Sequence, residues 1–445
     1  MSKHDSATTP RVRPRDRKQR IEHAAATAFS RRGYHAVSMQ DIADSVGISA
    51  PALYRHFPSK YALFVSAAML LVDQLAVVTA DAAELPLSTE DEGRVALGEL
   101  IRVVTDLTIE LRATSGIYKW EGRYLEQADR ERLNAGFELN GDRFIAAHRS
   151  YRPDVDELER AYMALGTFAV FGSISAHDTI LARPRLRALL TAAAWAVLNV
   201  DVSTYLSHIS PSADSAGEGG PAGDGPAVQS SSVEGSTPAG SKAAASTAAG
   251  STPPFSRREQ LLEASVRLFG ERGYNETTIE EIATEVDLTP SGVYRHFDGK
   301  HALLLAVYER ATQWLYPHQT EVEGSPLSSV DLLRSLIHTY IEHSFRSPEL
   351  MRVFFAEKGN LTPQELRGVQ ASQAASLQAW VDCLLDLRPE LNAREATVLV
   401  HAALGLITDQ LAILPRFDDE AMARLIAFTD ALLGIGPADE SPDAQ

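Results

Sequence analysis

Apolar residues recur every three or four positions along most of this 445-residue chain, which is the spacing of helices that bury one face. Two examples are "LLTAAAWAVLNVDVSTYL" and "LIAFTDALLGI", and no segment alternates apolar and polar residues as a half-buried strand does. The pattern therefore predicts an all-α fold. Because a chain of this length exceeds what one hydrophobic core normally supports, we expect at least two domains.

The helical pattern stops between residues 210 and 255, where Ser, Ala, Gly and Pro replace almost all large apolar residues. A segment of this composition cannot bury enough surface to fold, so we predict a flexible linker. About 45 such residues have a root-mean-square reach of roughly 38 Å and give an effective concentration on the order of millimolar. Pairing between the two flanking parts of one chain is therefore expected to be easy.

The two flanking parts are copies of each other. A shift of 240 residues aligns the start of the second part with the start of the first without a gap, and about a third of the aligned residues are identical. In the first part the identical residues are Ala24, Phe29, Arg32, Gly33, Tyr34, Ile42, Ala43, Val46, Tyr54, Arg55, His56, Phe57, Lys60, Ala62 and Leu63. A weaker match, "MALG" from Met163 against "AALG" from Ala402, indicates that the whole half is duplicated.

Each copy opens with the signals of consecutive short helices. In the first copy a basic helix over about residues 16–32 ends at Gly33, and Ser38 with Asp41 forms a capping box for the second helix. Gly47 then permits a left-handed turn. The second copy has Thr278, Glu281 and Asp287 at the positions of the capping box and the turn. Aspartate tolerates the left-handed backbone better than most residues, so both turns are expected to be tight.

The third helix of each copy begins at a hydroxyl residue, Ser49 or Thr289, and has a proline in its first turn, Pro51 or Pro290. Both copies end this helix in Tyr-Arg-His-Phe. Two short helices joined by a turn of a few residues describe a helix-turn-helix, whose second helix can enter the major groove of DNA.

The stretches "GYHAVSMQDIADSVGISAPALYRHFPSKYAL" and "GYNETTIEEIATEVDLTPSGVYRHFDGKHAL" both resemble the DNA-binding head of TetR-family transcriptional regulators. The match is specific because the glycine, capping box, turn, Tyr-x-His-Phe and following lysine all occur in order. It covers about 50 residues of each half and is only architectural beyond them. As a single-chain tandem member, the chain is similar to actinobacterial repressors of lipid import and of steroid or fatty-acid breakdown.

The resemblance implies two sets of DNA contacts. Phosphate contacts are implied for Ser49, Tyr54, His56, Lys60, Thr289, Tyr294, His296 and Lys300. Base contacts are implied for Ala50, Pro51, Ala52, Arg55, Pro290, Ser291, Gly292 and Arg295. The residue chemistry agrees, because tyrosine, histidine and lysine donate to phosphates and arginine pairs with guanine through two hydrogen bonds. Phe57 and Phe297 are assigned instead to the core beneath the third helix.

Other functions were weighed against DNA binding. A single Tyr-Arg-His-Phe would be ordinary surface and core, and the second copy in the same context is what favours DNA. A metal site at His56 or His296 lacks a second ligand at helical spacing, so we predict neither a metal nor a cofactor. The chain has no nucleophile motif, phosphate loop or dinucleotide fingerprint, so no enzymatic activity is predicted.

The net charge of −17 would argue against a nucleic-acid partner, but its distribution is uneven. Residues 1–65 contain 11 Lys and Arg against 5 Asp and Glu, whereas residues 255–305 contain 6 against 9. The first head is therefore expected to be the electrostatic anchor. Glu276, Glu280, Glu281 and Glu285 make the second site weak unless they face away from DNA.

The family resemblance also assigns the last two helices of each half to a four-helix bundle that forms the dimer. Here these helices are residues 154–177 and 182–206 in one half and 392–413 and 419–435 in the other. Their apolar stripes are equally compatible with an ordinary core. We predict a single-chain pseudo-dimer and leave a further dimer on DNA open.

Regulators of this family generally release DNA when a small molecule fills a pocket in the helical body. Segments that combine aromatic and charged residues would suit a small amphipathic or lipid-like effector. The candidate lining residues are Tyr118, Trp120, Glu121, Tyr124, Phe354, Phe355 and Glu357. A packed core with a polar rim is the alternative for both segments.

These inferences divide the chain into a basic arm (1–15), a first helix-turn-helix head (16–80), a first effector and pairing body (85–209), the linker (210–255), a second head (256–316), a second body (326–436) and a tail (437–445). We find no apolar run of about 18 residues and no signal-like N-terminus, so a cytoplasmic protein away from membranes is expected. The predicted function is a ligand-released repressor that reads an asymmetric or imperfectly palindromic operator with two non-identical heads. The alternative is a regulator in which only the first head binds DNA and the second serves pairing or protein interaction.

Overall fold

A computed structural model describes residues 14–113, 117, 122–207, 256–315, 327–414 and 418–436. Within these residues the chain forms nineteen α-helices and no strand, so the all-α prediction is confirmed. The first half contains α1 (Pro14–Arg32), α2 (Met39–Ser45), α3 (Ala50–His56), α4 (Lys60–Val78), α5 (Ala80–Ala83), α6 (Glu90–Glu110), α7 (Gln127–Tyr151), α8 (Glu157–Gly172), α9 (Arg183–Asn199) and α10 (Val202–Ser207). The second half contains α11 (Arg257–Arg272), α12 (Ile279–Glu285), α13 (Pro290–Val293), α14 (Lys300–Leu315), α15 (Ser329–Arg346), α16 (Pro348–Ala356), α17 (Pro363–Leu387), α18 (Ala393–Leu411) and α19 (Asp419–Leu433). The predicted linker, the tail and the arm before Pro14 lie outside the described residues.

Local sequence signals set the second helix of both heads as predicted. Ser38 caps α2 and Thr278 caps α12, and in each case the capping box is formed in both directions. The turn that follows is left-handed in both copies, with φ of 70° at Gly47 and 53° at Asp287. A non-glycine residue in this conformation is uncommon, and aspartate is among the residues that tolerate it best. The duplicated head therefore keeps its backbone although the residue in the turn differs.

Helix α4 connects the first head to its body. It is the one helix among the described residues that is long and apolar enough to cross a bilayer, with a mean hydropathy of 1.9. Asp73 and Gln74 interrupt its apolar residues, so it is not an unbroken apolar run of about 18 residues. Leu63, Phe64 and Leu75 are among its buried residues, and the helix packs against α1, α6 and α7. Its apolar composition is thus used in the protein core.

The two halves pack against each other through α8 and α9 of the first body and α18 and α19 of the second. These are the helices that the family resemblance assigns to a four-helix bundle. Gln410 donates a buried hydrogen bond to the carbonyl of Tyr162 across the interface (2.8 Å), and Arg424 donates to Glu159 (2.9 Å). Removing the charges of Arg424 and Glu159 from water is costly. We therefore expect this ion pair to determine how the two halves align rather than to add much to the stability of the interface.

Helix α10, the last described element before the predicted linker, packs on α19 of the other half. The Tyr205 hydroxyl donates to Asp430 (3.3 Å), which also accepts from Arg334 (3.1 Å). Burial raises the pKa of Asp430 to about 6. The first half therefore ends against the second half before the chain enters the linker.

Candidate nucleic-acid interface

Buried apolar residues hold the third helix of the first head in place. Ile21 and Phe29 of α1, Ile42 of α2, and Leu53 and Phe57 at α3 are almost fully buried. They belong to one hydrophobic cluster, so the inner side of α3 is fixed by packing. The outer side is therefore presented by a rigid scaffold.

The outer side of α3 carries the predicted reading residues. Pro51, Tyr54 and Arg55 are exposed, and Tyr54 exposes 50% of its surface. The hydroxyl of Ser49 is also exposed and makes no capping hydrogen bond. Arg55 forms no ion pair with any residue that the structure describes. The remaining predicted contact residues of this helix are half-buried: Ala50, Ala52 and His56. Donors that face solvent from a fixed helix are what DNA recognition requires, and their contacts with DNA stay a prediction.

The second head repeats this arrangement. Val293 and Phe297 are buried beneath α13, while Tyr294 exposes 57% of its surface and Arg295 is exposed beside it. Of the other predicted contact residues, Thr289, Ser291 and His296 are exposed, and Pro290 and Gly292 are half-buried. Both heads thus present a tyrosine and an arginine to solvent from the same position of a helix-turn-helix.

The reading helices of the two heads differ in length. Helix α3 covers seven residues, whereas α13 covers four and the chain continues as a turn through Tyr294, Arg295 and His296. In that turn the N–H of His296 donates to the carbonyl three residues before it (2.9 Å), which is the tighter 3₁₀ pattern. Gly292 occupies the position of Ala52, and glycine in a helix costs about 1 kcal/mol relative to alanine. Arg295 therefore stands on a less firmly held backbone than Arg55.

Lys60 and Lys300, which the resemblance assigns to phosphates, are directed at the protein itself. The Lys300 ammonium donates to two carbonyls of the turn before α12, at 2.8 and 2.9 Å, and lies 4.3 Å from the centre of the Tyr274 ring. The Lys60 ammonium donates to the carbonyl of His35 (3.3 Å) and lies 4.4 Å from the centre of the Tyr34 ring. Burial lowers the pKa of both lysines. The geometry gives them a structural role in the heads and leaves fewer donors for phosphate.

Ion pairs with arginines neutralise some of the glutamates of the second head. Glu281 pairs with Arg272 (2.8 Å) and Glu285 pairs with Arg267, while Glu280 is exposed. The pairs also engage two of the six Lys and Arg residues between positions 255 and 305. The second head therefore has less free positive charge than a count of its residues suggests.

The two heads meet at what we call the head junction. It consists of four short segments: residues 32–36 of the first head, 122–124 of the first body, 273–276 of the second head and 357–360 of the second body. His35 lies 3.9 Å from Glu276, which is a direct contact between the heads. Each head is therefore held by contacts with the opposite half as well as with its own.

A buried ion pair lies at the centre of the head junction. Arg123 donates to the carboxylate of Glu357 at 2.5 Å, and only 1% of the Glu357 side chain is exposed. The same carboxylate accepts from the backbone N–H of Tyr274 (3.0 Å) and from the side-chain amide of Asn360 (2.7 Å). Glu357 thus connects the first body, the second body and the second head.

Close packing completes the head junction on the side of the first head. The ring of Tyr124 stacks on that of Tyr34 with 5.7 Å between centroids. Gly359 touches the end of α1 so closely that a Cβ there would overlap the carbonyl of Arg32. Gly273 has φ of 92°, and a Cβ there would lie 3.1 Å from the Tyr124 hydroxyl. The junction therefore leaves little room for the heads to move separately.

The predicted effector-lining residues occupy different places. Tyr118, Trp120 and Glu121 lie outside the described residues. Tyr124 and Glu357 belong to the head junction, and Phe354 is fully buried with its ring 5.6 Å from that of Tyr308. Phe355 is half-buried and lines a groove of about 420 Å³ between α15, α16 and α18, together with Arg352 and Asp409. Their role in ligand binding stays a prediction.

Sequence reasoning missed the residues that join the heads. Arg123 and Glu357 are 234 positions apart, and nothing in the local pattern of either segment links them. His35 and Gly359 likewise have no motif around them that indicates a contact with the other half. One signal that the sequence does contain is the Gly-Tyr pair that follows the first helix in both copies, at residues 33–34 and 273–274.

Comparison with known proteins agrees with the duplicated helix-turn-helix. The model of "Bacterial regulatory proteins, tetR family" matches twice, at residues 21–67 and 261–307. The HTH-type transcriptional activator FasR of Mycolicibacterium smegmatis is 46% identical over 14% of this chain and 29% of its own length. The HTH-type transcriptional repressor KstR2 of the same organism is 24% identical over 31% of this chain and 71% of its own length.

A solved structure of a TetR-family transcriptional regulator from Bordetella parapertussis 12822 is 22% identical, with a TM-score of 0.36, over 40% of this chain and 94% of that chain. The chain spans under a third of the length of FasR, so that similarity concerns the head alone. Each half therefore contains a helix-turn-helix domain that the tetR family model matches, and the chain carries two such domains in tandem.

Proposed function

We propose that this protein is a DNA-binding transcriptional regulator that reads one operator with two covalently joined, non-identical heads. The observation that carries the proposal is the exposed Tyr-Arg pair on the third helix of each head, Tyr54 with Arg55 and Tyr294 with Arg295. An arginine can distinguish guanine in the major groove, while the tyrosine hydroxyl contacts phosphate. Because the residues beside the arginines differ, the two half-sites share a guanine and differ next to it.

We propose repression as the direction of regulation. The relative that matches over 71% of its own length is named a repressor, whereas the relative named an activator matches only over the head. As a regulator of bacterial genes the protein acts in the cytoplasm, where its operator lies. A reporter gene under the operator, measured with and without the protein, tests this: higher expression in its presence contradicts repression.

The DNA-binding unit in this proposal is one chain. The bundle of α8, α9, α18 and α19 already joins two halves, with buried polar contacts such as Gln410 to Tyr162. A second chain is therefore not needed to complete the pair of heads. Light scattering of the full-length protein at micromolar concentration should give the mass of one chain, and a mass of two chains contradicts this part of the proposal.

The operator is tested with the full-length protein and a pool of random DNA. The expected product of selection is a site with two half-sites that share a guanine and are otherwise unequal. Enrichment of a perfect palindrome, protected equally in both halves in a footprint, contradicts the proposal of two different readers. No enrichment of any sequence contradicts specific DNA binding as a whole.

A second candidate function is a regulator in which only the first head binds DNA. The shorter α13 and the acidic second head favour it. Alanine substitution of Tyr54 with Arg55, compared with the same double substitution of Tyr294 with Arg295, separates the two candidates. If the second double variant binds the selected operator as tightly as wild type, the two-headed proposal fails and this one replaces it.

We propose a small amphipathic effector that binds the second body and lowers operator affinity. The groove beside Phe355 has a size within the range of ligand sites and combines apolar residues with Arg352 and Asp409. Helix α16, which lines it, also reaches the second head, because Arg352 donates to the carbonyl of Gly270 (3.2 Å). A ligand that moves α16 would therefore act directly on α11.

A further inference from the structure

We propose that the interface between the two bodies contains a binding site for an amphipathic organic anion, with Lys358 and His177 holding the charged group and the apolar part extending past Phe355 into the groove. The inference names the chemical class of the effector and the residues that anchor it. It rests on the proposed function for its consequence on DNA, but the binding itself is independent of DNA.

The hydrogen bonds of His177 leave one buried donor without an acceptor. Its Nδ1 accepts from the backbone N–H of Thr179 (3.2 Å) and lies 3.2 Å from the guanidinium of Arg112. Both are donors, so Nδ1 carries no proton and the neutral ring must carry its proton on Nε2. Burial lowers the pKa of His177 to about 2, as do the charges of His401 and Arg112, so the ring is neutral.

His177 Nε2 is buried and has no hydrogen-bond partner among the described residues. A buried donor left unpaired costs about 1–3 kcal/mol, which an acceptor supplied by a ligand would recover. The Arg112 guanidinium cannot supply that acceptor, because it has only N–H donors, and it donates to the carbonyls of Ile174, His177 and Thr179. The site thus offers a fixed N–H and lacks an acceptor.

The second half supplies the positive charge. The His177 ring stacks on His401 of α18 with 4.4 Å between centroids, and the charge of Lys358 is one of the causes that lower the pKa of His401. The ammonium of Lys358 lies over the rings of Phe354 (5.5 Å) and Phe355 (5.4 Å). Within the part of the chain that the structure describes, no carboxylate lies within ion-pair distance of this ammonium.

The polar groups at this point of the interface favour an anion. The side chains of Lys358, His177 and His401 are half-buried, so solvent reaches part of each of them. The Lys358 ammonium and the His177 N–H are donors, and Asp178 is an exposed carboxylate.

Phe355 explains why the anion should be amphipathic. One side of this residue lies under the Lys358 ammonium, and the same side chain lines the groove of about 420 Å³. An anion bound at Lys358 can therefore continue as an apolar chain along Phe355 and Met351. A small inorganic anion would leave the groove empty.

The proposed site is directly connected to the head junction. Lys358 is flanked by Glu357, which binds Arg123 and the turn of the second head, and by Gly359, which touches the end of α1 in the first head. A ligand that draws Lys358 toward its charge must move one or both neighbours. The heads would then change their spacing, which lowers affinity for an operator of fixed geometry.

The test is calorimetric titration of octanoate into the full-length protein without DNA. Octanoate should bind, and octan-1-ol, which has the same chain without the charge, should bind at least about tenfold more weakly. Lys358→Met, which keeps the length of the side chain, should weaken octanoate binding about tenfold or more, while Lys358→Arg should keep most of it. His177→Phe keeps the stacked ring and removes the N–H, and should weaken binding severalfold.

Arg149→Met is the matched control, because it also removes one positive charge, but from a surface ion pair with Glu157 that does not line the groove. It should leave octanoate affinity within about threefold of wild type. An equal loss of binding in Arg149→Met and Lys358→Met overturns the proposal, as does the absence of octanoate binding to wild type. Unchanged circular dichroism and melting temperature of the free variants separate a lost site from a lost fold.

The pH dependence gives a readout that a structural role of Lys358 would not produce. Burial lowers its pKa to about 8, so at pH 9 about nine-tenths of the side chain is neutral and octanoate should bind about tenfold more weakly than at pH 7. The charged and titratable groups around it are His177, His401, Arg112 and Asp178, and the lowered pKa of each histidine keeps both rings neutral over this range. A wild-type affinity that is equal at pH 7 and pH 9 overturns the role of the ammonium.

Failure of this inference and failure of the proposed function are distinguishable. The titration contains no DNA, so it is unaffected if the operator assignment is wrong. The selection of an operator contains no ligand, so it is unaffected if octanoate does not bind.

Discussion

The third helix of the first head has seven residues and follows a basic N-terminal segment, whereas the third helix of the second head has four residues and belongs to an acidic domain. The scaffold beneath is the same in both: each has a capping box, a left-handed turn and a buried phenylalanine under the reading helix. Divergence after duplication has therefore affected the surface that meets DNA and spared the core. We infer that the first head supplies most of the affinity and the second supplies selectivity.

This division is possible because the heads are joined. In a homodimer any change of the reading helix appears in both half-sites. In the proposed function a weaker second reader would be tolerated, because the head junction and the first head would keep it close to DNA. The comparison can be tested by changing either the junction or one head at a time.

The largest effect is expected from Arg123→Met at the head junction. It leaves the buried Glu357 carboxylate without its cation, and breaking a buried pair in this way costs about 3 kcal/mol of unfolding free energy. Thermal or urea unfolding measures this loss. Operator binding should weaken as well, and sites with altered spacing between half-sites should be bound more equally.

Arg149→Met is the control for that variant, since Arg149 pairs with Glu157 on the surface (2.7 Å) and exposed pairs contribute about 0–1 kcal/mol. Adding Glu357→Gln to Arg123→Met should restore part of the stability by removing the unpaired charge. An Arg123→Met protein as stable as the Arg149 control would show that the junction does not hold the heads.

The next effect concerns the two arginines of the reading helices. Arg55→Ala should cost about 1–3 kcal/mol of operator binding, or roughly 5- to 150-fold in Kd, because it removes a two-bond contact with guanine. Arg295→Ala should cost about threefold, since its backbone is held by a turn. Fluorescence anisotropy on the selected operator measures both, and equal losses would contradict unequal heads.

Exchanging the residues at the equivalent positions 52 and 292, alanine and glycine, should change operator affinity by a smaller amount. Gly292→Ala should lengthen α13 and strengthen the second half-site contact by about 0.5–1 kcal/mol, because the new Cβ would be no closer than 3.5 Å to Leu288. Ala52→Gly should weaken the first half-site by a similar amount. If Gly292→Ala leaves binding unchanged, the length of the helix is not what limits the second head.

The smallest effect is a pH dependence at the contact between the heads. The pKa of His35 is lowered, chiefly by burial, while Glu276 opposes this shift. The unfolded chain then takes up a proton at His35 that the folded protein resists, so this contribution to stability is lost as the pH falls below about 6.5. Between pH 7.5 and 5.5, His35→Asn should lose less stability than wild type, and Glu276→Gln should lose more.

Comparing the loss of stability between pH 7.5 and 5.5 in wild type and in these two variants gives the contribution of His35 alone. The other histidines with lowered pKa are present in all three proteins: His148, His177 and His401. Urea unfolding at each pH provides the measurement, and identical pH profiles for the three proteins would exclude a role for the contact.

The backbone of the heads was predictable from sequence because its signals are local. The capping box at Ser38 and the turn at Asp287 involve residues within a few positions of each other, so the sequence pattern determines them. The lysines show the limit of such reasoning. Their place in the motif resembles that of phosphate contacts, but the direction of the Lys300 side chain depends on carbonyls 23 and 26 residues away.

The contacts between halves were beyond sequence reasoning for a different reason. Arg123 meets Glu357, and His177 meets His401, only after four helices from two distant segments have packed. No periodicity relates residues whose separation in sequence exceeds 200 positions. The shorter α13 is an intermediate case, since Gly292 signals a weak helix but does not fix where it ends.

The unequal length of α3 and α13 has a consequence for the geometry of the complex on a promoter. A symmetric dimer is unchanged by a half-turn about its axis, so it binds its operator identically in either direction. With two unequal heads the two directions differ, because the strong reader and the weak reader cannot exchange half-sites unless the protein dissociates from the DNA. Inverting the operator would therefore present a different face of the protein to an approaching RNA polymerase, so a regulator of the proposed kind has a polarity that a symmetric dimer lacks.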